Sequence, residues 1–206
     1  MIAALTGCGG NTSAGDPAGD GAATGTLTVF AAASLTEAFT DVEEAIEAAH
    51  PGLDLRYSFA GSGSLVAQIV QGAPADVVAT ADTVAMQALV DAGLVDAPVT
   101  FARNRLEILV APGNPLGVTG LADLAARTIR VVLPDDNVPA GRYAEQALAA
   151  AGVDVRPVSK EVNVKAAVAK VVSGEVDAAI VYATDVDAVG SRGHGVTIPD
   201  GQNVVA

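Results

Sequence analysis

Two serines, Ser34 and Ser62, each stand where a β-rich run gives way to the start of a helix. The first run, residues 27–30, leads into Ala31-Ala32-Ala33-Ser34-Leu35-Thr36; the second, residues 53–59, leads into Ala60-Gly61-Ser62-Gly63-Ser64. A serine in that position offers a hydroxyl beside first-turn amides that have no intrahelical partner. Two such ends converging on one point make an anion site out of neutral dipoles. Each serine taken alone reads more readily as a plain helix cap, since such caps are common in α/β proteins. Gly61 and Gly63 add to the second case, because glycines let backbone amides approach a ligand closely and form a concave nest. The same loop would suit a phosphate, a carboxylate or an ordinary turn.

Two further positions invite the same question. In Asn137-Val138-Pro139-Ala140-Gly141-Arg142-Tyr143 the proline suits a first helical turn, where its missing N–H costs nothing, and the Ala140 amide is left to face a ligand or water. Tyr182 closes the apolar run Ala178-Ala179-Ile180-Val181, which puts its phenol at the carboxyl end of a strand. Ligands of open α/β sheets bind at that edge, although a tyrosine there can also be mere rim. Catalytic constellations are not written in the chain. His50 and His194 lack partners at metal-ligand spacing, no Gly-x-Ser-x-Gly elbow occurs, and Gly61-Ser62-Gly63-Ser64 lacks the Gly-Lys-Ser/Thr ending of a phosphate loop. No enzyme activity and no cofactor are expected.

The surrounding chain must supply the scaffold. With 206 residues, half of them hydrophobic, there is material for one large domain or two lobes; aromatic residues are only 3%, so Ala, Val, Leu and Ile must build the core. The formal charge of −13 argues against nucleic acid or an anionic membrane surface as partner. It does not forbid an anionic ligand, since screening acts over about 8 Å whereas helix-end amides touch the ligand directly. Cys8 is the single cysteine, which excludes an internal disulfide. No apolar run reaches the ~20 residues that span a bilayer.

From residue 27 short β-rich runs alternate with helical stretches, the mark of an α/β fold. Strands are expected at 27–30, 54–59, 77–79, 105–111, 129–133 and 178–182, and helices at 36–49, 64–71, 83–92, 121–126, 140–151 and 165–173. The helix at 36–49 places Phe39, Val42 and Ile46 on one face, with Asp41, Glu43, Glu44 and Glu47 read as solvated acidic surface. The pattern resets between residues 96 and 105, where a boundary divides a first lobe (26–104) from a second (105–200).

Five runs follow one another along the chain: Val29-Phe30-Ala31-Ala32-Ala33-Ser34-Leu35-Thr36, Ser58-Phe59-Ala60-Gly61-Ser62-Gly63-Ser64-Leu65, Gly72-Ala73-Pro74-Ala75-Asp76-Val77, Val138-Pro139-Ala140-Gly141-Arg142-Tyr143-Ala144 and Ile180-Val181-Tyr182. Taken in order, they resemble the periplasmic molybdate-binding proteins of ABC importers. The resemblance covers residues 26–206. It implies a two-lobed, type II binding-protein fold, each lobe a mixed β-sheet flanked by helices, closing over molybdate or tungstate. The contacts it implies fall on Ser34 and Ser62 (hydroxyl and amide), the amides of Ala140 and Val164, and the Tyr182 hydroxyl. Val164, in Val162-Asn163-Val164-Lys165-Ala166, comes from the resemblance alone. A membrane permease is the implied partner, and a monomer is expected. Leu5-Thr6-Gly7-Cys8 resembles a bacterial lipobox, so residues 1–8 are read as part of a lipoprotein signal, Cys8 as a lipid-anchor site, residues 9–25 as a flexible tether and the protein as extracytoplasmic. Residues 201–206 are read as the start of a shortened crossover back to the first lobe. Leu133-Pro134-Asp135-Asp136-Asn137 departs from the Gly-Asp-Pro that often precedes the family's Val-Pro-Ala-Gly.

Overall fold

The computed structural model describes residues 2–4 and 23–205; Cys8, the lipobox and most of the expected tether lie outside the described residues. The chain builds two mixed sheets with helices packed on them. The first contains β1 (Ile2–Ala4), β2 (Thr24–Ala32), β3 (Gly52–Ala60) and β4 (Val77–Ala79), in the order β1-β4-β2-β3. Strands β3 and β4 both run parallel to β2, and β1 pairs antiparallel with β4.

Side-chain alternation along β2 assigns its two faces. Phe30 and Val78 point to one side, against Leu65 and Ile69 of α2 (Ser62–Val70) and Met86 and Leu89 of α3 (Thr83–Asp91). Val29, Ala31 and Ala79 point to the other, with Phe39 of α1 (Thr36–Ala49) and the rings of Tyr57 and Phe59. No residue of α1 is fully buried, and Val42 stays 43% exposed. Glu47 is more than solvated surface: its carboxylate accepts the Leu55 N–H at 2.9 Å and ties α1 to β3. Gly72, at φ +92°, takes the chain out of α2 through a conformation that side-chain-bearing residues rarely adopt.

The second sheet has the order β7-β6-β8-β5-β9: β5 (Leu106–Val110), β6 (Val131–Pro134), β7 (Ser159–Glu161), β8 (Ala178–Tyr182) and β9 (His194–Thr197). Strands β7 and β8 flank β6 in parallel, while β5 runs antiparallel to both β8 and β9. Helices α4 (Pro139–Ala151), α5 (Val164–Val172) and α6 (Ala183–Val189) cover it. Every residue of β6 and β8 is buried, as expected of central strands covered on both faces. The core of this lobe is one contiguous cluster that runs from Leu106 to Ile198. Asn203 binds the first residue of β5, accepting the Leu106 N–H at 3.0 Å and donating to the Leu106 carbonyl at 2.9 Å.

Several expectations are corrected. The helix expected at 121–126 is a 3-10 turn, Leu121–Ala125, its entry fixed by Asp123, which accepts the Thr119 N–H at 2.7 Å. Strands β7 and β9 were not expected, because Ser159-Lys160-Glu161 is polar and His194-Gly195 reads as loop. Helix α6 follows Tyr182 with no intervening turn residue to announce it.

Candidate anion-binding site between the lobes

A small cavity lies where the two lobes meet, lined by residues that include Ser34, Ser62, Ala140, Val164 and Tyr182. It encloses about 210 Å³ of empty space, its open mouth included. The wall is assembled from carboxyl ends of parallel strands in both sheets. Ser34 follows β2, Ser62 follows β3 and Ala81 follows β4, while Ala140 follows β6, Val164 follows β7 and Tyr182 ends β8. Such convergence is where α/β sheets leave their binding crevice.

The serines do not act as caps. Ser34 belongs to a 3-10 turn, Ala33–Leu35, and the cap position of α1 is Leu35. Ser62 is the first residue of α2 behind Gly61, and its hydroxyl oxygen accepts the Ala81 N–H at 3.0 Å. With that lone pair engaged and the residue only 1% exposed, the Ser62 proton is free to be donated into the cavity. Side-chain capping is done instead by Asp82 on α3 and Asn163 on α5, whose carboxylate and amide oxygens accept from Ala85 and Ala166 at 2.8 and 2.9 Å.

In the second lobe Pro139 occupies the first position of α4, so Ala140 is its first residue with an N–H to offer. Gly141 is required by packing: a Cβ there would run into the carbonyl oxygens of Pro134 and Asp135. Val164 opens α5 and directs its side chain into the core at 3% exposure, which leaves its backbone N–H as the polar group at the cavity. Tyr182 is 2% exposed, and its hydroxyl finds no hydrogen-bond partner among the described residues. Burial, reinforced by the nearby Tyr143, Asp82 and Asp185, pushes its pKa well above the usual tyrosine range. The phenol is therefore a committed donor without an acceptor.

Acceptors near the cavity are already engaged. One Asp82 oxygen holds the Ala85 amide and the other the Arg142 guanidinium, and the Asn163 oxygen holds Ala166. The carboxylate and amide side chains at the cavity are thus engaged with their own neighbours, and the hydroxyls and helix-start amides are left as the groups that face a ligand, a set suited to a fully deprotonated oxyanion. The five expected residues are all brought together. Sequence reasoning marked Gly61 beside Ser62 but missed Asn163 and Ala81 as wall residues; Asn163, standing directly before an apolar-periodic run, carried a legible cap signal. Among the described residues no group of His, Cys, Asp or Glu could hold a metal ion, and no helix is long and apolar enough to cross a membrane.

Comparison with known proteins places this geometry in context. Residues 27–206 match the family model described as bacterial extracellular solute-binding protein. The whole chain is 39% identical to the molybdate-binding protein ModA of Mycobacterium tuberculosis and covers 79% of it. It is 35% identical to ModA of Escherichia coli, over 82% of this chain and 69% of that protein. Among solved structures the periplasmic molybdate-binding protein of Azotobacter vinelandii is alike in fold, with a TM-score of 0.72 at 23% identity over 87% of this chain and 85% of that one.

Proposed function

Because the chain belongs to the bacterial extracellular solute-binding proteins, we propose that it captures molybdate or tungstate between its lobes and delivers it to the permease of an ABC importer. The observation that carries this reading is the buried Tyr182 hydroxyl, a donor with no acceptor, aimed into a cavity rimmed by helix starts and Ser62. Ser34 and Ser62 supply hydroxyl and amide donors, Ala140 and Val164 supply amides, and Tyr182 supplies its phenol. Burying a dianion is costly unless such donors replace its water, and each hydrogen bond to a charged group contributes about 1.5–3 kcal/mol.

The same donor set disfavours hydrogen phosphate, whose own proton would meet no free carboxylate and only hydroxyls already needed as donors, a penalty of about 1–3 kcal/mol. Sulfate lacks that defect; its shorter bonds keep it from reaching donors on both lobes together. An extracytoplasmic location follows from the family. The finer reading is a monomer held to the membrane by lipid on Cys8, with no turnover and no cofactor. Calorimetric titration of the chain tests the ligand: one-to-one binding is expected for molybdate and tungstate, with sulfate and phosphate weaker by at least about 100-fold. Comparable affinity for sulfate would overturn the assignment.

Tyr182→Phe offers a second check with two opposite signs. Removing a buried hydroxyl that the protein itself does not satisfy is expected to raise the melting temperature of the ligand-free chain by about 2–4 °C. Molybdate affinity is expected to fall about tenfold, the equivalent of one lost charged hydrogen bond. Unchanged affinity would remove Tyr182 from the site.

A further inference from the structure

We infer that two sets of ion pairs spanning the cleft, Glu37 with Lys165 and Asp82 with Arg142, form a latch that holds the lobes closed and prolongs anion residence without touching the anion. Glu37 stands in the first turn of α1, on the first lobe. Lys165, in the first turn of α5 beside Val164, donates to both Glu37 oxygens at 2.8 and 2.6 Å. The same ammonium lies 2.9 Å from Asp185, whose other oxygen accepts the Tyr182 N–H at 3.2 Å. On the other flank, Asp82 at the start of α3 pairs with Arg142 of α4, two residues beyond Ala140.

Each cation therefore sits one or two residues past a proposed ligand amide on the second lobe, and each reaches an acid at a helix start on the first. Burial works against the Lys165 charge, but Asp185 and Glu37 outweigh it and hold its pKa above the ordinary lysine value. The cations are only partly exposed, Lys165 at 25% and Arg142 at 28% of the side chain, so the pairs are screened less than surface pairs. Contacts made only when the lobes meet shift the equilibrium toward closure by their differential free energy. The family reading explains the anion pocket; the latch rests on that reading and adds what governs release.

Glu37→Gln decides the matter by sign. Simple Coulomb reasoning says that deleting a negative charge near an anion site in a chain of net charge −13 should tighten molybdate binding. A latch requires the reverse: affinity about two- to fivefold weaker, expressed as faster release, with the gap to the unaltered chain closing at high salt. Glu37 is 56% exposed, so the variant is expected to fold. Arg142→Met should weaken binding about tenfold, again through release. Affinity comes from calorimetry, and release from stopped-flow tyrosine fluorescence, since Tyr143 and Tyr182 line the cleft region. Binding by Glu37→Gln as tight as or tighter than that of the unaltered chain, or a loss confined to the association rate, overturns the latch. Failure of the unaltered chain to bind molybdate would instead overturn the anion reading, and the latch with it.

Discussion

Ser62→Ala should weaken molybdate binding about 100-fold or more and lower the stability of the ligand-free chain as well. The hydroxyl has two tasks that alanine cannot perform. It accepts the Ala81 N–H at 3.0 Å, fixing the segment between β4 and α3, and its own proton is left for a ligand in the cavity that Ser62 lines. Loss of a charged hydrogen bond to the anion removes about 1.5–3 kcal/mol, and an unpaired Ala81 N–H adds about 1–3 kcal/mol wherever water cannot reach it. Polarisation along N–H to hydroxyl to anion strengthens both bonds together, so the loss exceeds that of a single contact. Ser64→Ala supplies the control. Ser64 is exposed, its hydroxyl only accepts from the Gln68 amide, and affinity should stay within about twofold. Calorimetry with thermal melting reads both effects. A Ser62→Ala chain that binds within about threefold of the original would remove the serine from the ligand shell.

Much of this site was legible because anion recognition by helix starts depends on local sequence. A β-rich run followed by Ser or Pro and then a helical period fixes where a first turn lies, and Ser34, Ser62 and Ala140 were marked that way; Tyr182 was marked instead by closing an apolar strand. Chemistry within the turn was less legible. Ser34 and Ser62 read as caps, yet the caps with side-chain hydrogen bonds are Asp82 and Asn163. The distinction depends on whether the hydroxyl meets its own helix or Ala81, nineteen positions away, and no local pattern records that meeting.

The fold divides along similar lines. Central strands such as β6 and β8 declare themselves through continuous apolar runs, whereas β7 owes its place to pairing with β6, from Val132–Ser159 to Pro134–Glu161. Strand β9 is hidden by its glycine, which serves packing: a Cβ on Gly195 would meet Val186 at 2.7 Å and Glu107 at 2.8 Å. Cross-cleft pairs such as Lys165 with Glu37 join residues 128 positions apart, and only the closed arrangement of the lobes shows them.

Gly61 shows how one glycine can belong to closure more than to folding. Its backbone, at φ −61° and ψ 138°, is open to any residue, so neither turn geometry nor strain calls for glycine there. Space does. A Cβ at Gly61 would sit 2.8 Å from the Val162 carbonyl oxygen, 3.7 Å from Val138 and 3.9 Å from Asn163, all on the opposite lobe. Gly61→Ala should therefore leave the first lobe intact, and even add about 0.4–1 kcal/mol by restricting the unfolded chain. The closed state must absorb the clash by moving α5 and its Val164 amide away from the ligand. Overpacking of this kind costs about 1–3 kcal/mol, so molybdate affinity should fall between about tenfold and 100-fold while the ligand-free melting temperature holds or rises. Loss of binding together with loss of stability would mean that Gly61 is needed for the fold itself. Binding at full strength would mean that the lobes need not meet here to hold the anion, and the cavity would then have to work from one side.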